Sequence, residues 1–244
     1  MRMIGPHIKR AASGMLDFLL PPRCPRCSTR IDVDGHLCGA CWGKLRMITP
    51  PYCVRCGIPF EVGELMDAEC GACIRTPPAF DWARAAVIYE DEARSLILHL
   101  KYSGEGAGVP AIGRMMAGAV AAMPRMDVIM PVPLHPRRLF ARRFNQSQLL
   151  GKVIARHLGI PLDSFNLTRR RATPSQGQLG RKGRKRNVQG AFAVAGDVRG
   201  KRILLVDDVL TTGATASACA QALKRAGALE VGLVAFARVK GPSG

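Results

Sequence analysis

Residues 203–215 read ILLVDDVLTTGAT, and this stretch decides the fold. Its four leading apolar residues predict a strand that is buried on both faces of a parallel sheet. Small and apolar residues then recur with helical spacing at positions 216, 219, 220 and 223, and Gly227 follows where a helix would end. A strand, a turn and a helix in this order are typical of an open α/β sheet, in which ligands bind at the carboxyl ends of the strands.

The turn between this strand and this helix has the composition of a phosphate site. A helix N-terminus offers N–H groups to a phosphate, and Gly213 lets the backbone approach a ligand closely. Three hydroxyls add donors, those of Thr211, Thr212 and Thr215. Asp207 and Asp208 would repel a phosphate, so we assign them to the vicinal hydroxyls of a sugar. The stretch therefore predicts a site for a phosphorylated sugar; the alternative is an ordinary turn with two surface aspartates.

Eight of the nine cysteines form four C-x-x-C pairs. The pairs are Cys24/Cys27, Cys38/Cys41, Cys53/Cys56 and Cys70/Cys73. Their spacing is typical of zinc ribbons, and because no secretory signal is evident we favour two structural zinc ions over disulfides or redox chemistry. Spacing leaves sequential and interleaved ligand sets open. We prefer the sequential one, since each half is a local loop, and His36 is an alternative ligand.

The chain divides into three segments on composition. Residues 1–19 form an N-terminal extension, residues 20–78 a double zinc ribbon, and residues 82–240 an α/β domain. The α/β segment predicts a doubly wound parallel sheet. Its expected strands are 83–89, 127–132, 191–195, 203–206 and 231–237, and its expected helices are 92–102, 111–123, 146–158 and 214–226. Cys219 falls on the apolar face of the last helix and is expected in the core.

The apolar run 15–20 is too short to span a membrane, so we expect no membrane insertion and a cytoplasmic location. Net charge is +18, and residues 137–186 hold fourteen Lys or Arg against one acid, Asp163. One account of this charge is a solvated basic surface. The functional accounts are an electropositive cleft that steers a polyanionic ligand and a surface that binds a nucleic-acid backbone. Aromatic residues make up only 5% of the chain, which disfavours a base-stacking platform.

Residues 203–215 resemble the phosphoribosyl-pyrophosphate (PRPP) motif of type I phosphoribosyltransferases: four apolar residues, two acids, three variable positions, then Thr-Gly-x-Thr. The resemblance implies that Asp207 and Asp208 are catalytic acids that hold the ribose hydroxyls. It also implies a 5-phosphate site made by Thr211, Thr212, Gly213, Ala214 and Thr215, with magnesium accompanying PRPP. Thr211 replaces a third acid of the purine-type members, which makes this stretch more similar to the orotate and uracil branches.

A second loop resembles the pyrophosphate loop of the same enzymes. It follows the expected strand 127–132, and its candidate residues are Pro133, Leu134, His135, Arg142 and Arg143. Guanidinium groups suit pyrophosphate oxygens because they donate paired hydrogen bonds. Further along, the basic, glycine-rich residues 173–187 match the position of the mobile loop that closes over substrate in these enzymes.

The order of features from about residue 15 to residue 239 resembles the ComF family. The shared elements are the double zinc ribbon, LKY at 100–102, PVPLH at 131–135, RFNQ at 143–146, NVQGAF at 187–192 and the acid pair. Arg143 is a departure, since the family usually has glycine there. The resemblance implies a phosphoribosyltransferase-fold protein linked to competence, the handling of incoming single-stranded DNA.

Two functions from different classes remain open at this point. The first is an enzyme that transfers the 5-phosphoribosyl group of PRPP to an acceptor, which the sequence does not identify. The second is a non-catalytic zinc-ribbon factor that handles single-stranded DNA, alone or with the competence machinery. The complete PRPP motif favours the first, whereas the charge surplus and the link to transformation favour the second.

Overall fold

The computed structural model describes residues 21–60, 67–102, 106, 108–171 and 190–240, except for the side chains of residues 138, 141 and 142. The expected N-terminal extension, residues 1–19, and the expected mobile loop, residues 173–187, lie outside these ranges. Within them, no helix is both long and apolar enough to cross a membrane.

A four-stranded parallel sheet lies at the centre of the described chain. Its strands are β1 (Trp82–Ile88), β2 (Val128–Pro131), β5 (Arg202–Leu210) and β6 (Glu230–Arg238). Their order is β1-β6-β5-β2, with all neighbours parallel. This confirms the predicted parallel sheet and places the decisive strand β5 in its interior. Pairing continues past both acids, so β5 is longer than the expected strand 203–206.

Two short strands form a separate antiparallel ribbon, β3 (Leu167–Arg169) and β4 (Phe192–Val194). Our placement of residues 191–195 in the parallel sheet was wrong. The apolar composition of this segment predicted a strand, but composition does not specify a partner. Its partner is the preceding segment of only three residues, which carries no recognisable strand pattern.

The described residues contain seven α-helices. They are α1 (Gly39–Trp42), α2 (Gly71–Arg75), α3 (Asp91–Tyr102), α4 (Val109–Ala119), α5 (Pro136–Arg142), α6 (Gln146–Leu158) and α7 (Ala214–Arg225). Helix α4 ends four residues before the predicted 123, and α5 was not predicted because its arginine-rich sequence has no apolar periodicity. Helix α7 ends as expected, with Gly227 two residues beyond it at a φ of 96°.

Helices cover both faces of the sheet, as expected for a doubly wound fold. On one face Leu204 and Val206 of β5 pack with α3, α4 and α6. On the other face Ile203 and Leu205 pack with α7 and with the β3–β4 ribbon. This alternation follows from the period of two in a strand. Cys219 of α7 is fully buried in the second cluster, which confirms its predicted place in the core.

The cysteine-rich segment packs against the edge of the sheet at β1. The Ile48 N–H donates to the carbonyl of Ala86 at 2.9 Å, and the Ile88 N–H donates to the carbonyl of Arg46 at 2.8 Å. These bonds satisfy backbone N–H and C=O groups of an edge strand that would otherwise be free to pair with another chain. Gly57 has a φ of 65°, and a Cβ there would lie 2.5 Å from the carbonyl oxygen of Ala83. The segment after residue 46 is therefore in close backbone contact with β1.

Candidate functional site

The cysteine thiols lie in two groups of four. The first group is Cys24, Cys27, Cys38 and Cys41, and the second is Cys53, Cys56, Cys70 and Cys73. In each group the sulfur atoms all lie within 4.8 Å of one another. This is the sequential grouping that we preferred, and His36 belongs to neither cluster of the described residues.

Both groups have the dimensions of a tetrahedral zinc site. The Sγ atoms of Cys27 and Cys38 are 3.6 Å apart, and those of Cys56 and Cys70 are 3.7 Å apart. Four Zn–S bonds of about 2.3 Å in a tetrahedron separate the sulfurs by about 3.8 Å. The donor sets therefore fit two structural zinc ions, as predicted from the spacing.

Hydrogen bonds stabilise the thiolate of one cysteine in the second group. The Sγ of Cys53 accepts hydrogen bonds from the N–H groups of Cys56 at 3.5 Å and Cys70 at 3.2 Å. A hydrogen bond from the Cys56 thiol and these backbone donors lower the pKa of Cys53 to about 4. The thiolate is the form that binds a metal, so these contacts favour the ligand state of Cys53, whereas the hydrogen bond to Cys53 and burial raise the pKa of Cys56.

An open cavity of about 220 Å³ lies at the carboxyl ends of β5 and β2. Its walls include eight residues predicted from sequence: Pro133, Leu134, Asp207, Asp208, Thr211, Gly213, Ala214 and Thr215. The parallel register explains this convergence, because β2 and β5 end at the same edge and the Val132 N–H still donates to the carbonyl of Val206 at 2.9 Å. The two sequence segments therefore meet at one site.

The two acids of this cavity have different surroundings. Lys101 of α3 forms an ion pair with Asp208, with Nζ 2.8 Å from Oδ2. The carboxylate of Asp207 accepts hydrogen bonds from the hydroxyl of Ser147 at 3.4 Å and from the N–H of Asp208 at 2.9 Å. Burial raises the pKa of Asp207 to about 7, and the charge of Asp208 adds to the rise. One acid is therefore paired with a cation, whereas the other retains a proton up to near-neutral pH.

The turn before α7 has the backbone form of an anion site. Gly213 precedes the helix at a φ of 74°, and a Cβ there would lie 3.4 Å from the ring of Phe80. Gly213 has no side chain that could cap α7. The N–H groups in the first turn of a helix have no intrahelical acceptors. Thr212 is exposed and lies outside the cavity wall; its hydroxyl accepts from the Ala214 N–H at 3.4 Å.

The predicted pyrophosphate loop reaches the cavity only in part. Pro133 and Leu134 line it, whereas His135 is outside the wall and caps α5, with Nδ1 accepting from the Arg137 N–H at 3.3 Å. Arg143 is exposed and also outside the wall. The side chain of Arg142 lies outside the described residues.

Arg143 follows α5 in the left-handed region, with a φ of 63°. This is a conformation that glycine adopts without steric cost, which gives a physical reason for the glycine that the resemblance expects at this position.

Eight further residues of the cavity wall were not among our candidates, and four of them are polar or charged: Lys101, Gln146, Ser147 and Arg169. Arg169 lies on β3, is 7% exposed and has its guanidinium carbon 5.4 Å from the ring centroid of Phe192. Lys101 belongs to the LKY element, the one sequence signal that could have drawn attention to it. Nothing in the sequence pointed to Arg169, because β3 itself was not recognised.

The chain is similar to solved phosphoribosyltransferase-related structures at low scores. A purine phosphoribosyltransferase from Pyrococcus horikoshii Ot3 is 20% identical, with 52% of this chain and 70% of that chain covered and a TM-score of 0.33. The glutamine phosphoribosylpyrophosphate amidotransferase from B. subtilis is 23% identical, with 57% and 30% covered and a TM-score of 0.40.

Sequence relatives give a firmer assignment. A double zinc ribbon domain matches residues 15–74, and a phosphoribosyl transferase domain matches residues 145–243. The DNA utilization protein YhgH of Salmonella typhi is 38% identical over 168 residues, which are 66% of this chain and 74% of the relative. Competence protein F of Haemophilus influenzae is 30% identical over 178 residues, 69% of this chain and 78% of the relative. The chain therefore belongs to the ComF/YhgH family, in which a double zinc ribbon is joined to a phosphoribosyltransferase domain.

Proposed function

We propose that this protein binds PRPP with magnesium in the cavity at the ends of β2 and β5 and transfers its 5-phosphoribosyl group to an acceptor. One observation carries the proposal. A helix N-terminus with hydroxyl-bearing neighbours and a pair of carboxylates line the same cavity of about 220 Å³. The first suits a phosphate and the second suits sugar hydroxyls, so together they match the two ends of a ribose 5-phosphate.

The 5-phosphate is assigned to the turn between β5 and α7. Backbone N–H groups at the start of α7 and the positive end of its dipole attract an anion. The hydroxyls of Thr211 and Thr215, both on the cavity wall, add donors. Thr212 belongs to the same turn, and its hydroxyl accepts from the Ala214 N–H.

The ribose hydroxyls are assigned to Asp207 and Asp208. Ionised carboxylates are acceptors only, and vicinal hydroxyls donate to them. Asp208 is balanced by Lys101, and the carboxyl of Asp207 is held by Ser147. Sugar binding requires Asp207 to be ionised, so we expect affinity for PRPP to rise with pH toward and above 7.

The pyrophosphate is assigned to the side of the cavity lined by Pro133 and Leu134. Lys101 and Arg169 bring positive charge to the same cavity, which suits a polyanionic ligand. The acid pair is the part of the wall suited to a hard cation; magnesium bound with PRPP would neutralise charge on the leaving group.

In the proposed reaction the bond between C1 of the ribose and the pyrophosphate oxygen breaks, and a bond from the acceptor's nucleophile to C1 forms. The leaving electron pair stays on pyrophosphate, and the proton of the acceptor passes to solvent. The residues described here hold the phosphate and the ribose in place and balance the charge of the leaving group. Positioning and electrostatic stabilisation are the main contributions that such a transfer needs.

Binding of single-stranded DNA is a second candidate function, favoured by charge and by the names of the relatives. Among the described side chains between positions 137 and 170, five basic ones are exposed: Arg137, Arg143, Lys152, Arg156 and Arg170. Relatives are named DNA utilization protein and Competence protein F. A basic surface of this kind would contact phosphates without reading sequence, so its binding would weaken steeply with added salt.

Pyrophosphate release tests the proposed enzyme directly. The protein is incubated with PRPP and magnesium together with a panel of acceptors, namely nucleobases, amines and single-stranded DNA ends. Release that depends on one acceptor and falls at least about 10-fold in Asp208→Asn supports the proposal, with the exposed Asp32→Asn as a control of equal charge change. Release that is equal in wild type and Asp208→Asn would contradict it.

A further inference from the structure

Arg238 is a buried cation that lies between the phosphate turn and the second cysteine cluster. It is the last residue of β6 and is 8% exposed. Its Nη1 donates to the carbonyls of Leu210 at 3.1 Å, Thr211, and Val239 at 3.1 Å. Its Nη2 lies 3.7 Å from the Sγ of Cys56. One guanidinium thus contacts two residues of the cavity wall and one candidate zinc ligand.

The charge of Arg238 has no carboxylate partner among the described residues, because none of their ion pairs includes it. A buried charge is costly unless it is paired. Four thiolates around one Zn²⁺ carry a formal charge of −2, since four negative charges exceed two positive ones. The metal-loaded second cluster therefore provides the anion that this guanidinium requires, through the contact between Nη2 and the Sγ of Cys56.

We propose that Arg238 is a positioning residue that couples the second zinc site to the PRPP site. With zinc bound, the cluster holds the guanidinium through Cys56, and the guanidinium holds the carbonyls of Leu210 and Thr211 in the form that presents the phosphate turn. Without zinc the Sγ of Cys56 is no longer held by the metal, so the guanidinium loses this fixed contact and the turn loses this anchor. The inference rests on the proposed function, because it concerns the affinity of the same cavity for PRPP.

Coupling of this kind is reciprocal. If zinc in the second cluster strengthens PRPP binding, then PRPP must strengthen zinc binding there by the same factor. Among the described residues the first cluster has no such connection: the Sγ of Cys27 contacts the hydroxyl of Thr29 and the Sγ of Cys38. PRPP is therefore expected to affect the retention of one zinc ion and to leave the other unchanged.

Arg84 offers a matched control. It is also a buried arginine, at 9% exposure, and it also contacts the second ribbon, through the carbonyl of Val54 at 2.9 Å and the ring of Tyr52 at 4.6 Å. Its hydrogen bonds go to Val54 and Ala83, neither of which lines the cavity. Replacement of Arg84 should disturb the same interface without breaking the connection to the phosphate turn.

The test is an equilibrium competition between the protein and a coloured zinc chelator, with and without saturating PRPP and magnesium. For the wild type we expect two steps of zinc loss as the chelator concentration rises. PRPP should shift one of these steps to a chelator concentration that is higher by at least about fivefold, which is the smallest change in affinity that is usual for coupled sites. Arg238→Lys keeps the positive charge but not the paired N–H donors of the guanidinium. This variant should therefore still bind two zinc ions, but PRPP should no longer shift either step of zinc loss. Arg84→Lys should retain the shift.

Calorimetric titration of PRPP into the zinc-loaded proteins accompanies the competition and separates two kinds of failure. Absence of PRPP binding to the wild type overturns the proposed function and this inference with it. Normal PRPP binding to the wild type without a shift in either zinc step overturns the coupling alone. A shift that persists in Arg238→Lys, or that is lost equally in Arg84→Lys, overturns the role assigned to Arg238.

Discussion

Lys101 Nζ and Asp208 Oδ2 lie 2.8 Å apart, so helix α3 and strand β5 meet in an ion pair at the cavity wall. Both side chains are largely shielded, with 21% and 14% of their surfaces exposed. A shielded ion pair contributes more to stability than an ion pair on the open surface. Removal of either partner leaves the other charge without compensation.

Lys101→Met should therefore lower the free energy of unfolding by about 1–3 kcal/mol, because it leaves Asp208 unpaired beside Asp207. Urea denaturation measures this loss. In the double variant Lys101→Met/Asp208→Asn the loss should be smaller than the sum of the single effects. Lys44→Met is the control: Lys44 pairs with Glu92 at 3.7 Å but is 67% exposed, so its loss should stay below about 0.5 kcal/mol. Equal losses in the two lysine variants would contradict the assigned importance of the buried pair.

Asp207→Asn should make the ligand-free protein more stable at pH 8. The folded wild type keeps its proton on Asp207 up to a pKa of about 7, whereas the unfolded chain loses it near about pH 3.9. Wild-type stability therefore falls as pH rises between these values and is constant with respect to this group above pH 7. The Tm advantage of Asp207→Asn should be small at pH 4.5, grow toward pH 7 and then level off. An advantage that is the same at pH 4.5 and pH 8 would refute the raised pKa.

Arg143 should tolerate glycine and resist β-branched residues, because its φ is 63°. Arg143→Gly removes a steric cost of about 1 kcal/mol and adds a similar entropy to the unfolded chain, so stability should change little. Arg143→Val should cost more than about 1 kcal/mol. Arg156→Val, on the exposed side of α6, is the comparison, with an expected cost near 0.5 kcal/mol. A Val variant at 143 as stable as that at 156 would exclude the left-handed conformation.

Zinc content should depend on Cys53 and not on Cys219. Elemental analysis of the purified protein should find two zinc ions, and Cys53→Ser should lose one of them together with much of the protein's stability. Cys219→Ala should keep both ions, since this thiol is buried in the core away from either cluster. Loss of zinc in Cys219→Ala, or two retained ions in Cys53→Ser, would contradict the sequential ligand sets.

The unit formed by β5, the following turn and α7 could be predicted, because the local sequence determines its structure. The apolar start of β5, the acids, the Thr-Gly turn and the spacing of α7 each specify a local structure, and they agree with one another. The two cysteine clusters were predictable for the same reason, since each C-x-x-C pair is a local turn. The bounds of the ribbon and of the phosphoribosyltransferase-like domain stay predictions.

The rest of the site depends on packing between distant segments. Lys101 and Arg169 reach the cavity only because α3 and β3 lie on opposite faces of the sheet, a fact that neither segment encodes by itself. Arg238 could not be recognised for the same reason: its contacts join residues 56, 210 and 211. The pairing of β4 with β3 could not be predicted either, because composition does not determine which strand β4 pairs with.

Isothermal calorimetry with PRPP and magnesium tests the central claim most directly. We predict saturable binding of one PRPP to the zinc-loaded wild type, weakened by about 1–3 kcal/mol in each of Asp207→Asn and Asp208→Asn and unchanged in Asp32→Asn. Ribose 5-phosphate should compete for the site. No heat of binding in the wild type, or wild-type affinity in the double variant Asp207→Asn/Asp208→Asn, would contradict the account.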